Sequence, residues 1–185
     1  MNKVCSMLLL GALLLIGSAP AAVETMDMDA QLGTSRGGRT ALSGFRGKPV
    51  VLFFEDRDSS DLNKDFKDRL FELGKRHDLL SAVHVVAVAN LAAFDFFPAR
   101  EFALAAVRKE EARWGIPILI DWRGVLSAAP WDLPKDTSSV VLLDSSGRIV
   151  YQRSGRLSLE AQQRFFSQLA GLLGEELQME EDRTP

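Results

Sequence analysis

Four short apolar runs, separated by segments of helical periodicity, constrain the fold of this chain more than any other sequence feature. The runs are rich in Val, Ile, Leu and Phe: PVVLFF at 49–54, VHVVAVA at 83–89, IPILID at 116–121 and SVVLLD at 139–144. Continuous apolar character is typical of strands that are buried on both faces of a sheet. Strands that alternate with helices and end in a hairpin predict an α/β domain, with a mixed central sheet and helices on both faces.

Two helices are predicted between the first three strands. The first covers 61–77, where apolar residues recur every three or four positions, and Ser59 or Ser60 is its expected N-cap. The second covers 98–113, because proline suits a first helical turn, and Gly115 is its expected stop.

The C-terminal part is predicted to form a β-hairpin followed by a helix. A tight turn at 144–147 returns the chain into a partner strand at 148–153, and Ser158 caps the last helix. We predict four units in chain order: a signal peptide at 1–22, a glycine-rich N-terminal arm with room for a short edge strand at 23–44, the folded domain at 45–174 and an acidic tail at 175–185.

Residues 1–22 have the three parts of a secretory signal. Lys3 supplies positive charge, residues 4–16 are largely apolar, and Ala19 and Ala21 form an A-x-A cleavage pattern. The apolar run is shorter than the ~20 residues that a membrane-spanning helix needs. We expect cleavage after Ala21, export to the periplasm or the medium, and no stable membrane insertion afterwards. An uncleaved N-terminal anchor is the alternative.

The cysteine content and the net charge limit the kinds of site and partner that the mature protein can have. The single cysteine, Cys5, leaves with the predicted signal, which excludes disulfides and thiolate zinc sites in the mature protein. Without Lys3, 21 Lys and Arg face 25 Asp and Glu, so the mature charge is near −4. This balance disfavours nucleic acid as a partner.

Three motifs occur in order along the predicted domain: FRGKPVVLFF at 45–54, ILIDWRG at 118–124 and SVVLLDSSGRI at 139–149. Together they resemble the thioredoxin-like superfamily, especially its peroxiredoxin and thiol-reductase branches. A closer resemblance, carried by SSVVLLDSSGR at 138–148 and GRLSLE at 155–160, is to the YtfJ-type exported bacterial proteins, which have no established activity. The resemblance implies a thioredoxin-like α/β fold.

The redox residues that this resemblance implies are missing. Catalytic members carry C-x-x-C where the first strand meets a helix, whose N-terminus lowers the pKa of the thiol. Those two positions fall on Ser59 and Leu62, and the position of the cis-proline falls on Ser138, where we expect a trans peptide bond. We therefore expect no thiol redox activity and no cofactor. The predicted function is non-catalytic binding of another protein or a small molecule in the remaining cleft.

The candidate cleft residues lie beyond the carboxyl ends of the strands, where open α/β sheets bind ligands. They are expected to form hydrogen bonds and are Asp56, Asp58, Ser59, Ser60, Thr137, Ser138 and Trp131. The acidic run at 55–61 has two interpretations. In the first, its carboxylates interact favourably with the positive end of the helix dipole at the helix N-terminus. In the second, Asp56 and Asp58, with Asp121, bind a hard cation such as Mg²⁺ or Ca²⁺. The alternative function is a metal-dependent, phosphatase-like hydrolase that uses Asp56 and Asp58.

Aromatic residues are concentrated in the middle of the chain. Trp114 and Trp122, with the phenylalanines at 94–97, form either a partner-binding patch or a small second core beside the helix at 98–113.

Overall fold

The computed structural model describes residues 30–77 and 79–181, so the predicted signal peptide lies outside the described residues. The elements are β1 (Gln31–Thr34), β2 (Arg39–Ala41), β3 (Val50–Glu55), α1 (Lys64–His77), α2 (Leu79–Ala82), β4 (His84–Asn90), α3 (Ala99–Trp114), β5 (Ile118–Asp121), β6 (Ser139–Leu143), β7 (Ile149–Ser154) and α4 (Leu159–Glu181). Within the described residues, these strands form one sheet in the order β2-β1-β5-β4-β3-β6-β7.

The four apolar runs form the centre of this sheet, as predicted. β3, β4 and β5 are parallel, and β6 pairs antiparallel with β3. β7 returns antiparallel to β6 and completes the predicted hairpin. The sheet is therefore mixed, which confirms the predicted α/β class.

One face of the sheet carries the long helices. On this face Val51 and Phe53 of β3 pack with Phe66 of α1 and Phe165 of α4. Val107 of α3 packs beside them, on the side chains of β5. Both parallel crossovers, from β3 to β4 and from β4 to β5, step in the same direction along the sheet. Right-handed connections therefore place α1 and α3 on the same face.

The opposite face is covered by short 3-10 helices and an extended segment. Leu42 and Leu126, from the 3-10 helices Leu42–Phe45 and Val125–Ser127, are fully buried there. Trp131 and Leu133 complete this layer over Leu52 and its neighbours in the sheet. The connection between β5 and β6 therefore supplies much of the core on this face.

The N-terminal region belongs to the sheet. β1 pairs antiparallel with both β2 and β5, so residues 31–41 extend the sheet by two strands where the sequence predicts an arm with room for one. Gly33 permits the close approach of β1, because a Cβ atom there would lie 3.1 Å from Nε1 of Trp122.

Helix boundaries differ from the prediction in two places. α1 begins at Lys64, because residues 57–63 form successive turns, so neither Ser59 nor Ser60 is its N-cap. α4 continues to Glu181, beyond the predicted boundary at 174. The cap by Ser158 is confirmed, since its Oγ accepts a hydrogen bond from the Ala161 N–H at 3.2 Å. No helix within the described ranges is long and apolar enough to cross a membrane.

Candidate functional site

A buried ion pair lies at the end of β3. Oε2 of Glu55, the last residue of β3, accepts a hydrogen bond from Nζ of Lys67 at 2.9 Å. Oε1 accepts from the Ser138 hydroxyl at 2.7 Å and from the same ammonium at 3.2 Å. Lys67 also donates to the backbone carbonyl of Ser60. The Glu55 and Lys67 side chains are each only 13% exposed, so the pair is largely shielded from water.

Asn63 extends this pair into a network that joins three segments. Its Nδ2 donates to Ser138 Oγ at 3.0 Å and to the Gly155 carbonyl at 2.9 Å. Its Oδ1 accepts from the Leu157 N–H at 2.9 Å. The start of α1 is thereby tied to the residue before β6 and to the loop between β7 and α4. We call Glu55, Asn63, Lys67 and Ser138 the polar network.

The position of Glu55 perturbs its ionisation. Burial raises the pKa of its carboxyl, and the negative charge of Asp61 acts in the same direction. The Lys67 ammonium and the Ser138 hydroxyl stabilise the carboxylate and oppose the rise, but the net direction of the pKa shift is upward. The polar network therefore includes a carboxyl group that ionises less readily in the folded protein than in water.

Glu55 and Lys67 of the polar network line one end of a cavity between α1 and α3, whereas Asn63 and Ser138 do not line it. The cavity has a volume of about 710 Å³, within the roughly 300–1,000 Å³ typical of small-molecule sites. Its floor is the sheet, where the small side chains of Ala87 and Ala89 in β4 leave space beneath the helices. Ala103 of α3 lines the cavity from above, so its walls are mainly apolar.

Aromatic side chains form a further part of the cavity wall, and the charged side chains of Arg57, Lys64, Lys109, Glu110 and Arg113 also line it. Phe71 of α1 stacks on Trp114 of α3 with 5.7 Å between ring centroids. Phe94 and Trp122 pack against the cluster that includes Val107, which confirms the interpretation as a small second core for these two residues. By contrast Phe102, which lines the cavity, is 73% exposed.

Of the predicted cleft residues, Ser138 has a direct place in the polar network. It is fully buried, and the peptide bond that precedes it is trans, as expected. Asp56 and Ser60 line the same cavity, whereas Asp58 is exposed and Thr137 is half-buried. The structure thus brings only part of the predicted set together.

Ser59 and Trp131 have structural roles instead. Ser59 and Asp56 form a reciprocal turn, in which the Asp56 N–H donates to Ser59 Oγ at 3.1 Å and the Ser59 N–H donates to Asp56 Oδ1 at 2.9 Å. Trp131 is wrong as a cleft residue, because it is 2% exposed and packs in the core on the opposite face of the sheet.

The hypothesised cation site is not formed by the described residues. The Asp121 carboxylate accepts backbone N–H bonds from Arg123, Val125 and Leu126 at 2.9–3.1 Å and so stabilises the loop after β5. Asp56 is occupied by the turn with Ser59. Across 30–77 and 79–181, no three carboxylate, histidine or cysteine side chains lie together as a metal-binding group.

The architecture matches solved structures, although the chain matches no family model and no curated protein sequence. A candidate thiol:disulfide interchange protein, DsbE, from Chlorobium tepidum gives a TM-score of 0.58 at 17% identity, over 82% of this chain and 99% of that one. A candidate protein disulfide isomerase from Bacteroides thetaiotaomicron gives 0.56 at 19% identity, over 85% and 94%. The fold is thioredoxin-like. The exposed lipoprotein thioredoxin Etrx1 of Streptococcus pneumoniae gives 0.51 at 18% identity, over 78% and 99%.

On this thioredoxin-like fold the expected redox position carries no thiol. The two cysteine positions implied by the resemblance hold Ser59 and Leu62, and the only cysteine of the chain is Cys5. Disulfide exchange requires a thiolate that attacks a disulfide, and a dithiol couple requires two cysteines. Because α1 begins only at Lys64, Ser59 also lies outside the helix N-terminus that would lower the pKa of a thiol.

Sequence reasoning missed Asn63 and Lys67 and gave Glu55 no partner. A signal for the first two exists, since Asn63, Phe66, Lys67 and Leu70 follow the i, i+3, i+4, i+7 spacing of one helix face. Two polar residues on an inward-facing stripe indicate a buried polar partner. The alternation of alanine with valine in β4 is the corresponding signal for the cavity.

Proposed function

We propose that this protein is exported and functions as a non-catalytic binding protein, which holds a small, largely apolar molecule in the cavity between α1 and α3. One observation carries the proposal: the redox region of a thioredoxin-like fold is here a hydrogen-bonded polar network without a thiol, and Glu55 and Lys67 of that network line one end of a cavity of about 710 Å³. Function follows from such a site rather than from the fold.

The chemistry of the cavity supports binding and gives no support to group transfer. Every donor of Asn63 and Lys67 is paired within the protein. The Ser60 hydroxyl, which lines the cavity, donates to the Arg57 carbonyl rather than to a general base. Apolar walls with a few polar groups at one end are typical of sites that orient a ligand by burial and select it by a hydrogen bond.

Export is part of the proposal and is supported by residues 1–22. The charged start, the short apolar run and the A-x-A pattern at Ala19 and Ala21 are typical of a cleaved signal. The likeness to YtfJ-type exported proteins is also part of the proposal and is carried by the motifs at 138–148 and 155–160. N-terminal sequencing of the protein from the exported fraction tests the cleavage, which we place after Ala21.

Binding is tested with the fluorescent apolar probe N-phenyl-1-naphthylamine. We expect saturable enhancement of its fluorescence by the purified protein. The Ala103→Leu variant fills the cavity from α3 and should weaken binding at least tenfold, whereas Ala105→Leu makes the same change at an exposed position of α3 that does not line the cavity. The proposed function is wrong if the wild-type protein does not bind the probe, or if the two variants bind it equally well.

A further inference from the structure

The Glu55 end of the cavity has an unused hydrogen-bond acceptor. Oε1 of Glu55 already accepts two hydrogen bonds, from Ser138 and Lys67, but Oε2 accepts only the one from Lys67. Each carboxylate oxygen can accept two hydrogen bonds, so Oε2 can accept one more. Glu55 lines the cavity, so a ligand that reaches its carboxylate can supply this donor.

The same end of the cavity has no unused donor within the polar network. The three ammonium hydrogens of Lys67 match its three acceptors, the two oxygens of Glu55 and the Ser60 carbonyl. The amide of Asn63 donates to Ser138 and Gly155. The Ser138 hydroxyl donates to Glu55. A ligand group that only accepts hydrogen bonds would therefore find no partner in the polar network, and burying it there unpaired is unfavourable.

The charge of this end favours a neutral ligand group. Glu55 and Lys67 neutralise each other at 2.9 Å, so neither charge remains for a charged ligand to balance. Of the other cations that line the cavity near Glu55, Lys64 is paired with Asp68 and Arg57 is exposed to water. Asp56 and Asp61 line the same end and add negative charge, so an anionic group is disfavoured beside the Glu55 carboxylate. A hydroxyl group provides a donor without adding a buried charge.

The remaining walls select the rest of the ligand. Ala87, Ala89 and Ala103 leave a space lined by methyl groups, and the stacked rings of Phe71 and Trp114 provide a flat aromatic wall. Ring systems gain from offset or edge contacts with such a wall in addition to burial.

From these contacts we infer that the ligand is a neutral hydrophobic alcohol or phenol, whose ring body lies against Phe71, Trp114 and the alanines and whose hydroxyl donates to Oε2 of Glu55. The inference rests on the proposed function, because it names the ligand class of the same cavity.

The test compares a ligand that carries the hydroxyl donor with its methyl ether, which lacks the donor. 2-Naphthol and 2-methoxynaphthalene are titrated as competitors of N-phenyl-1-naphthylamine on the purified protein, with 2-naphthoate as the anionic member. One hydrogen bond to a charged acceptor corresponds to a preference of about tenfold for 2-naphthol over the methyl ether. We expect 2-naphthoate to be the weakest competitor.

Two carboxylate-to-amide variants locate the preference. Glu55→Gln should bring 2-naphthol and 2-methoxynaphthalene within about twofold of each other. Asp61→Asn, at an exposed position on the rim of the cavity, should retain the tenfold preference. The wild-type comparison stands even if Glu55→Gln proves unstable.

The outcomes separate the inference from the proposed function. If all probes bind but the methyl ether or the naphthoate competes as well as the naphthol, the ligand class is wrong and the binding function stands. A preference that survives Glu55→Gln also overturns the inference. If no probe binds, both proposals fail.

Discussion

Replacing Asn63 by alanine should destabilise the protein strongly, because one side chain joins three segments. Asn63 is 4% exposed and makes hydrogen bonds to Ser138, Gly155 and Leu157. Each bond contributes ~1 kcal/mol net, and a buried donor left unpaired, such as the Leu157 N–H, costs ~1–3 kcal/mol. We therefore expect Asn63→Ala to lower the free energy of unfolding by about 3 kcal/mol.

The assay is urea unfolding followed by tryptophan fluorescence and circular dichroism. For a chain of this size a loss of about 3 kcal/mol corresponds to a decrease in Tm of ~6–12 °C. Asn90→Ala is the matched control, because Asn90 Oδ1 accepts one long hydrogen bond, from the Ala92 N–H at 3.4 Å. The control should lose less than about 1 kcal/mol. Equal losses in the two variants would refute the joining role of Asn63.

Three further predictions concern ionisation and chemistry. Because the folded pKa of Glu55 is raised, wild-type stability relative to Glu55→Gln should increase as the pH falls from neutral through the folded pKa towards the ordinary value of 4.5; urea titrations across that range test it, and a constant difference would contradict it. The pKa of the Asp144 carboxyl is shifted in the opposite direction. Burial opposes its ionisation, but hydrogen bonds from Ser146 and Arg148 lower its pKa overall. Asp144→Ala should therefore cost about 2 kcal/mol at neutral pH, and the cost should shrink as the pH falls through the folded pKa, below the ordinary value of 3.8. In an insulin-reduction assay with dithiothreitol the protein should give no rate above the reagent alone, and measurable turnover would contradict the expected absence of thiol redox activity.

The central strands could be predicted from the sequence, because short continuous apolar runs form few structures other than buried strands. Their ends depend on local chemistry that the runs alone do not show. β5 begins at Ile118, directly after Pro117, which has no N–H to donate to a ladder. β1 could not be placed, because its pairing with β5 joins segments far apart in the chain and depends on the fit of Gly33 against Trp122.

The candidate site could be predicted only in part. Ser138 was found through the motif that precedes β6, and its position before that strand is local information. Its partners, Glu55 and Asn63, are 83 and 75 residues away along the chain, so the polar network is a consequence of the assembled fold. Trp131 was misplaced because an aromatic residue in a long connection has the same sequence signature whether it faces a cleft or the core.

The location of the ligand is the most direct test of the account. In an NMR titration of ¹⁵N-labelled protein with N-phenyl-1-naphthylamine, we predict the largest amide shifts at Ala87, Ala89, Ala103 and Trp114, around the cavity between α1 and α3. Residues of the opposite face, such as Leu126 and Leu133, should shift little. Large shifts at Leu126 and Leu133 with none around the cavity would contradict the proposal that the cavity between α1 and α3 is a small-molecule site.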